Sequence, residues 1–337
     1  SEDDRRGYEN FVGSTLGVKG ALRRDELDTI TSIDPYVQAL WKSGPWQWSL
    51  GARHSRVSFK VEDRYIRANN PDDSGSVRFS KTTPALGVSY ALSPATNLYA
   101  SVGAGYETPT LNELSYATPT TGFNFGLRPS TSRQAEIGIK TFVSDNARIN
   151  AALFRIETDD EIVVSASEEG RTSYQNAGRT LRQGIELAAH AELTRTLTAR
   201  ASLTWMQAEY DEAFTSRGTT VAAGNRIPGV PRIAAFAELA WEATPGVTLA
   251  GEVLHRGEVE VSDLNNDRAA PAYTLFNLRL SAEQRQGPWT FGQLLRLDNV
   301  LDRKYVGSVI VGDSNKRYYE PGPERSVYAG VSASYRF

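Results

Sequence analysis

"SVYAGVSASYRF", residues 326–337, alternates between two kinds of side chain along its whole length. One set of positions carries Val, Ala, Val, Ala, Tyr and finally Phe337, while the other set carries mainly small or polar residues. Successive side chains of a β-strand point to opposite faces, so a period of two indicates a strand with two unlike faces. This stretch therefore predicts a long strand whose apolar row ends on an aromatic residue.

The same alternation recurs along most of the chain, whereas helical spacing is hard to find. Apolar residues occupy alternate positions of residues 197–205 and of residues 274–282. Most of the segments that alternate are longer than the five or six residues typical of strands in globular sheets. The thirteen strands predicted in this way are 32–43, 46–60, 77–91, 96–107, 131–142, 146–164, 171–193, 196–210, 230–243, 246–260, 272–285, 288–299 and 326–337.

The connections between these strands fall alternately into two classes. Short turns such as "KSGPW" and "ATPGV" follow every second strand, and longer polar loops follow the others. A transmembrane barrel has this asymmetry because its turns are short on the periplasmic side and its loops are long outside. The sequence therefore predicts an all-β fold, a transmembrane antiparallel β-barrel, with residues 1–337 forming part of one barrel domain. An ordinary soluble β-sandwich, which also alternates, is the alternative.

Aromatic residues gather near the predicted strand ends, where an interfacial girdle lies in such barrels. They are Trp41, Trp46, Trp48, Tyr90, Tyr106, Trp205, Trp241 and Trp289. Mean hydropathy is −0.41, and no run approaches the roughly 18 to 20 apolar residues that a transmembrane helix needs. The first residues, "SEDDRRGYEN", also lack the zones of a signal peptide, so the chain is either cytosolic or its beginning is missing.

Composition removes several classes of function. The chain has 37 basic and 40 acidic residues without a long basic block, so no nucleic-acid partner is predicted. Cys is absent, which excludes disulfides, thiolate metal sites and Cys nucleophiles. The three histidines lie on distant predicted strands, and "SDLNNDRAA" (residues 262–270) lacks the pattern of a calcium loop. No metal site, cofactor or catalytic residue is therefore predicted.

The carboxy-terminal strand resembles the assembly signal of outer-membrane barrels, which the barrel-assembly machinery reads, with Phe337 as its last residue. Single-chain bacterial barrels of this class have an even number of strands because both ends are periplasmic. A count of thirteen is odd. The sequence thus predicts further strands on the amino-terminal side.

Three segments resemble the carboxy-terminal part of a TonB-dependent outer-membrane receptor. They are "YETPTLNEL" at 106–114, "LDNVLDRKY" at 297–305 and "RYYEPGPERSVYAGVSASYRF" at 317–337. The resemblance implies a 22-stranded barrel with an amino-terminal plug and a TonB box, of which this chain would supply about thirteen strands. It also implies an outer-membrane location in a Gram-negative bacterium, surrounding lipid, and energy from the TonB–ExbB–ExbD complex. A chain without plug and TonB box would not perform energised transport by itself.

Further strings narrow the resemblance to the PqqU/YncD-like branch, whose members import pyrroloquinoline quinone. They are "RRGYENF", "LGVKGALRRDE", "LNELSYA", "TDDEIVV", "RTSYQNAGRTLRQGIEL" and "YVGSVIV". This quinone is planar and carries three carboxylates. Its pocket is therefore expected to offer aromatic rings and arginines, which bind carboxylates bidentately.

Candidate ligand-binding residues follow from the strand register and the loops. Continuing the even-numbered inner row of the predicted strand 171–193 places Tyr174, Asn176 and Arg182 inside, and the register before Gln134 places Arg128 inside. The loop before the closing strand adds Arg317, Tyr318 and Tyr319. Solvated or loop-stabilising side chains are the competing interpretation of each position.

The inner rows supply a second set of charges. These are Glu136, Lys140, Glu186, Arg200, Glu238, Glu252, Arg279 and Arg296. They are spread over separate strands of a wide barrel, too far apart for two carboxylates to share a reacting bond, so no enzyme is predicted. Charges on the plug are their expected partners.

The cargo stays open at this point. Shared barrel motifs do not identify it, and an anionic iron chelate would also suit Arg and Tyr, so a ferric-siderophore receptor is the first alternative. A passive or structural outer-membrane barrel is the second.

Overall fold

The computed structural model describes residues 1–68, 70–115, 122–168 and 171–337, almost all of them in strands and the loops that join the strands. In chain order the elements are β1 Glu2–Tyr8, β2 Phe11–Val12, β3 Thr15–Leu16, β4 Leu22–Ile33, β5 Tyr36–Ser43, β6 Trp46–Asp63, β7 Gly75–Ser93, β8 Thr96–Glu107, α1 Leu111–Leu114, β9 Ser130–Ser144, β10 Ala147–Asp159, β11 Ile162–Glu168, β12 Arg171–Asn176, β13 Thr180–Glu192, β14 Leu197–Tyr210, β15 Phe214–Ser216, β16 Thr219–Val221, β17 Ile233–Thr244, β18 Val247–Arg256, β19 Tyr273–Gln286, β20 Trp289–Asp298, β21 Val306–Val309, β22 Tyr319–Pro321 and β23 Ser326–Tyr335. No helix in the described ranges is long and apolar enough to cross a membrane.

The long strands form one antiparallel sheet in the order β1-β4-β6-β7-β8-β9-β10-β13-β14-β17-β18-β19-β20-β23. β5 continues β4 along the same neighbour, because Ile33 pairs with Arg56 and Tyr36 pairs with Arg53 in one register. Within the described residues β1 and β23 are the two edges of this sheet, which stays open. The long strands therefore form one continuous wall and not the two stacked sheets of a sandwich.

The connections confirm the predicted asymmetry. The predicted short turns join neighbouring strands at one end of the sheet, for example at 44–45 between β5 and β6 and at 245–246 between β17 and β18. The loops at the other end are long, and several contain small hairpins of their own, β11–β12, β15–β16 and β21–β22. The two ends of the sheet are called the turn end and the loop end below.

The strand count is the part of the prediction that differs. Counting β4 and β5 as one, the described residues place fourteen strands across the sheet, because β1 was missed and the strand predicted at 32–43 begins at Leu22. Because fourteen is even, an odd strand count no longer supports the prediction of further strands on the amino-terminal side.

Two strands predicted as continuous are broken at the loop end. The one predicted at 146–164 divides at Asp160, which has φ 57°, a left-handed conformation that Asp tolerates better than most residues. The one predicted at 171–193 divides between Asn176 and Thr180. The outer pieces pair with each other as the β11–β12 hairpin, so the inner register of β13 does not extend to Tyr174 and Asn176.

The two faces of the sheet differ in chemistry. One face, called the apolar face, carries large exposed side chains such as Leu50, Leu86, Val102, Ile137 and Leu153. Opposite it, the polar face carries the alternate residues. Six of the predicted girdle aromatics, Trp41, Trp46, Trp48, Tyr90, Trp241 and Trp289, lie near the turn end, and Tyr106 and Trp205 lie toward the loop end.

The packed apolar clusters of the molecule lie at the loop end. One surrounds Phe59, Leu114 and Leu127, a second surrounds Tyr210 and Val221, and a third joins Val259, Val261, Ala270 and Tyr318. A single-layered wall has no interior of its own to bury. The loops are therefore the part of the chain that folds like a globular domain.

Candidate ligand-binding site

An arm of three strands rises above the sheet at the loop end. β7 pairs with β8 only from Ala85 onward, so the segment 75–84 pairs with β6 alone, and β6 continues to pair with β4. Pro84, which has no N–H to donate, is the residue at which the β7–β8 pairing stops. This arm presents Ile30, Val57, Phe59, Val77 and Phe79 on its polar-face side.

The segment "YETPTLNEL" covers that apolar surface. The Thr110 hydroxyl accepts a hydrogen bond from the Glu113 amide, and the Glu113 carboxylate accepts one from the Thr110 amide at 2.7 Å, so a capping box starts α1. Leu114, fully buried, packs with Phe59 and Leu127. The segment that carries a resemblance thus has a structural role here. Of the string "LNELSYA", Tyr116 and Ala117 lie outside the described residues.

Three of the predicted ligand residues, Arg128, Tyr174 and Asn176, are used in joining loops. The Arg128 amide donates to Asn176 Oδ1 at 2.8 Å, and Asn176 Nδ2 donates to the carbonyls of Arg128 and Asp160, each at 2.8 Å. The Arg128 guanidinium binds the Asp160 carboxylate at 2.6 Å, and this ion pair raises the pKa of Arg128. Tyr174 packs against the cluster around Leu114.

Arg182 is the third residue of β13 and lies on the polar face, the side on which the sequence predicted it. Its charge is already paired. Its two Nη atoms bind the two oxygens of Glu161 at 3.1 and 2.7 Å, a bidentate pair. Glu161 also accepts from Thr180 Oγ1. This arginine anchors the base of the loop that carries β11 and β12.

The second predicted group, Arg317, Tyr318 and Tyr319, divides into buried and exposed members. Tyr318 is buried and donates to Asp267 Oδ2 at 2.9 Å, and burial together with this carboxylate raises the pKa of Tyr318 to about 12. Tyr319 is exposed and donates to the carbonyl of Arg268. Arg317 is exposed and has no hydrogen bond or ion pair among the described residues. It is the member of the group that is free to bind an anion.

The loop "SDLNNDRAA" is connected by its side chains to the last residue of β14 and to two other loops. Asp263 accepts from Tyr210 Oη at 2.6 Å, Asn265 accepts from the Arg226 amide at 2.6 Å, and Asp267 accepts from Tyr318 and Lys316. Protein donors therefore use the oxygens that a cation would need. Sequence reasoning noticed these residues but had no signal for their partners, which lie 39 to 53 residues away in the chain.

The pKa values of the two aspartates of this loop are shifted in opposite directions. Burial raises the pKa of Asp263, and the hydrogen bond from Tyr210 and the charge of Arg217 oppose it only in part. For Asp267 the hydrogen bonds from Tyr318 and Lys316 outweigh burial, so its pKa is lowered.

The last long loop also reaches the β11–β12 hairpin. The Ser314 amide donates to the carbonyl of Ser167 at 3.0 Å, and the Ser167 amide donates to the carbonyl of Gly312 at 3.4 Å. These contacts join parts of the chain that are separated by the strands β13 to β20 in the sheet. The loops together, here called the loop assembly, connect the two predicted groups without bringing their side chains into one cluster.

The polar face carries an ion-pair network across five neighbouring strands. Glu238 on β17 is directly opposite Glu252 on β18, and Arg279 on β19 is directly opposite Arg296 on β20. Arg279 binds Glu238 at 2.6 Å and approaches Glu252 at 3.7 Å, and Arg296 binds Glu252 at 2.6 Å. Arg200 on β14 lies 4.0 Å from Glu238. Like charges that face each other repel, and here the interleaved opposite charges offset this repulsion.

The remaining predicted charges of the polar face gather around Tyr99. Its hydroxyl donates to Glu136 at 2.6 Å, and Lys140 lies over its ring at 5.0 Å. The ring crosses Gly138, where a Cβ atom would lie 2.5 Å from it, so this glycine makes room for the tyrosine. Glu186 has no direct hydrogen bond or ion pair among the described residues.

Comparison with known proteins identifies the architecture. The family model "TonB dependent receptor-like, beta-barrel" matches residues 3–300. The chain belongs to this family. The siderophore receptor PiuA from Acinetobacter baumannii superimposes with a TM-score of 0.75 at 18% identity, over 95% of this chain and 46% of that one. The predicted all-β barrel of a TonB-dependent receptor is thereby confirmed.

Two curated relatives of this TonB-dependent receptor family are similar over most of the sequence. The ferrioxamine B receptor of Salmonella typhimurium strain LT2 is 25% identical over 303 residues, 88% of this chain and 40% of that protein. The ferrioxamine receptor of Yersinia enterocolitica is 26% identical over 333 residues, 96% of this chain and 42% of that protein. The chain spans about two fifths of the length of the curated relatives it matches. The named relatives are receptors and not enzymes, in keeping with the prediction at that coarse level.

In a TonB-dependent receptor barrel the two faces acquire distinct surroundings. The apolar face is the wall that faces lipid, and the polar face with its ion-pair network lines the lumen. The loop end, where the predicted ligand residues lie, corresponds to the side with long external loops. The expected contacts of the eight lumen charges with a plug stay a prediction, and six of the eight form ion pairs or hydrogen bonds within the wall.

Proposed function

We propose that this chain forms part of the barrel wall, together with the loop assembly, of an outer-membrane receptor that takes up a ferric siderophore or a similar metal chelate. The observation that carries the proposal is the loop assembly itself. It packs polar loops into one structure at the external end of a receptor barrel and leaves Arg317 exposed beside Tyr318 and Tyr319. The two ferrioxamine receptors support the class of cargo, since they are similar over most of the chain.

Pyrroloquinoline quinone, the cargo favoured by the sequence resemblance, is the second candidate. The strings "RTSYQNAGRTLRQGIEL" and "YVGSVIV" support it, and its carboxylates suit the same arginine. The named relatives support the siderophore instead, so the quinone serves as the competing ligand in the test. A passive or structural barrel, the third candidate, would bind neither.

The other parts of the proposal follow from the family. Residues 1–337 form part of one barrel domain in the outer membrane of a Gram-negative bacterium, with lipid against the apolar face. The barrel-assembly machinery inserts it, with Phe337 in the assembly signal. The TonB–ExbB–ExbD complex supplies the energy for uptake.

Binding titration of the full-length receptor in detergent tests the cargo. Ferrioxamine B, ferric citrate and pyrroloquinoline quinone are titrated separately, each iron chelate against its metal-free form. The proposal expects saturable binding of an iron chelate with a preference over the metal-free form. Saturable binding of the quinone alone would replace the cargo, and no saturable binding of any ligand would favour a passive barrel.

Substitution of Arg317 tests whether this exposed arginine binds the cargo. Arg317→Gln is expected to weaken binding of an anionic cargo by about 1 to 3 kcal/mol through loss of a charge-assisted hydrogen bond. Arg148→Gln is the matched control, because Arg148 is exposed at the turn end. Arg128 is a poorer choice, since its loss would also leave Asp160 without its ion pair. Equal affinities of the Arg317 variant and the control would contradict a role for Arg317.

A further inference from the structure

A groove of about 860 Å³ lies on the apolar face, at the height where the β7–β8 pairing stops. Small residues of five neighbouring strands form its floor, and larger apolar side chains stand beside them. The floor consists of Ala39, Ala52, Pro84, Ala104 and Ala135, and the flanking residues include Val37, Leu50, Leu86 and Val102.

The position of the groove follows from the strand geometry. Leu50, Leu86, Val102 and Ala135 form one row of directly paired residues across β6 to β9, and Ala52 pairs with Pro84 one step nearer to the loop end. Beyond this step β7 follows β6 into the arm while β8 continues with β9. The wall therefore divides at a place where its outward side chains are small, and an elongated apolar group fits there.

Cations occupy the loop-end rim of the groove. Arg155 lines it and is held by Glu157 at 2.7 Å and by Gln183 at 3.1 Å. Arg133 also lines it and is exposed, and its side chain has no hydrogen bond or ion pair among the described residues. Arg133 and Arg155 are diagonal neighbours on β9 and β10, since Arg133 is opposite Glu157 and Arg155 is opposite Ala135.

The arm adds further positive charge on the same face. Arg56, Lys60 and Arg78 are exposed there, in the rows that follow Ala52 and Pro84 toward the end of the arm. Arg78 donates to Ser58, and Arg56 and Lys60 have no ion pair among the described residues. Glu157, the acid directly opposite Arg133, is already paired with Arg155.

The rim on the neighbouring strands is different. There the corresponding positions carry Gln183, Gln207 and Glu209, which bond to one another. The excess of cations at the groove therefore does not extend to β13 and β14.

We propose that this groove binds one acyl chain of a phosphate-bearing glycolipid of the outer leaflet, with the lipid phosphate against Arg133 and the cations of the arm. The inference rests on the outer-membrane location proposed above, but not on the cargo. The apolar groove suits the acyl chain of such a lipid, and the unpaired cations directly above the groove suit its anionic headgroup. The groove opens toward lipid, and its charged rim lies on the external side, where the headgroups of the outer leaflet are.

Native mass spectrometry of the full-length protein tests the site. The protein is mixed with bisphosphorylated lipid A or with enzymatically dephosphorylated lipid A, and the lipid retained at equal activation energy is counted. The proposal expects the bisphosphorylated form to be retained about tenfold more strongly, and expects Arg133→Gln to remove most of this preference. Ala135→Phe, which fills the floor of the groove, is expected to reduce retention of both forms. Arg148→Gln, at the turn end, is the control.

Equal retention of both lipid forms by the unmodified protein would overturn the proposal, and so would an Arg133 variant that keeps the full preference. The first comparison needs no variant, so a variant that fails to fold does not weaken the test. Titration of cargo on the same preparation separates the two proposals. Loss of lipid preference with cargo binding intact overturns only the lipid site, and failure to enter bilayers overturns the location on which it rests.

Discussion

Asp263 and Asp267 lie four residues apart in one loop, and ionisation of their carboxyl groups affects the stability of this loop in opposite directions. Asp263 is half-buried and accepts a hydrogen bond from the Tyr210 hydroxyl, and its raised pKa means that its ionisation opposes folding of the loop. Asp267 accepts from Tyr318 and Lys316, and its lowered pKa means that its ionisation favours folding. The stability of the loop assembly therefore depends on pH through two terms of opposite sign.

The variant Asp267→Asn is expected to loosen the last long loop at neutral pH. The stabilisation by Asp267 is present above the ordinary aspartate pKa, about 4, and is lost as pH falls through its lowered pKa. Hydrogen exchange of residues 305–325 should therefore be faster than in the parent at pH 7, and the difference should shrink toward pH 3. A difference that does not change with pH would contradict this.

The variant Asp263→Asn is expected to act in the opposite direction. Asn keeps an acceptor for Tyr210 and removes a buried charge. The contribution of Asp263 is fully present below about pH 4 and is lost as pH rises through its raised pKa. Exchange of residues 257–272 should therefore be slower in the variant than in the parent at pH 7, and equal in the two below pH 4. Faster exchange in the variant at pH 7 would show that the carboxylate is needed.

The arm formed by β4, β6 and β7 shows how elements position the loops. Its apolar side needs a cover, and α1 provides one because the capping box fixes the first turn and directs Leu114 inward. A four-residue helix has little stability of its own. Its position therefore depends on the burial of Leu114.

Leu114→Ala is expected to release α1 from the arm. Replacing a fully buried Leu with Ala lowers stability by about 2 to 5 kcal/mol. We expect this loss to open the cluster locally and not to unfold the barrel, because the cluster lies outside the barrel wall. Hydrogen exchange should increase in the arm, at 53–63 and 75–84, while the paired strands β17 to β20 keep their protection. Leu301→Ala, at a residue 67% exposed, is the control. Unchanged exchange in the arm would show that α1 does not support it.

Alternation along the chain predicted the strands well wherever one face is apolar, since each of the thirteen predicted segments contains a strand of the sheet. It failed where the wall ends. The strands break at Asp160, within the polar run 157–161, and after Asn176. The predicted strands were continued across both places, because a period of two does not report a left-handed backbone such as that of Asp160. β1 was missed because Glu2 to Arg6 are all charged, so that strand has no apolar row.

The site was predictable only in part. The register of β13 placed Arg182 on the polar face, where the structure has it, whereas Arg128, predicted to lie inside from the register before Gln134, precedes β9 and lies in a loop. Their partners, Glu161 and Asp160, lie 21 and 32 residues away, and no local pattern links them. Side-chain pairing between loops depends on tertiary packing, and one sequence does not report that packing.

At the scale of the whole molecule, the barrel wall has charge pairs in place of a core. Glu238 and Glu252 are 8% and 7% exposed in their side chains; Glu238 binds Arg279, and Glu252 binds Arg296 and lies 3.7 Å from Arg279. A wall with one apolar and one charged face is stable only when such charges are satisfied among themselves or by a group in the lumen.

Arg279→Met is expected to lower the free energy of unfolding by about 1 to 3 kcal/mol, because Glu238 and Glu252 would face each other without the cation between them. Intrinsic tryptophan fluorescence during urea unfolding in detergent measures the change. Arg200→Met is the matched control, since Arg200 is 61% exposed and only 4.0 Å from Glu238 at its nearest. Equal losses in the two variants would show that the network contributes as isolated surface charges.

Uptake of iron-55 by cells that depend on the full-length receptor tests both the cargo and the need for TonB. The iron is supplied as ferrioxamine B and, separately, as ferric citrate, with pyrroloquinoline quinone as a possible competitor and with TonB present or deleted. We expect uptake that saturates with at least one chelate, requires TonB and is not inhibited by the quinone. TonB-dependent uptake of the quinone without iron uptake would contradict the cargo, and uptake that neither saturates nor requires TonB would contradict the receptor itself.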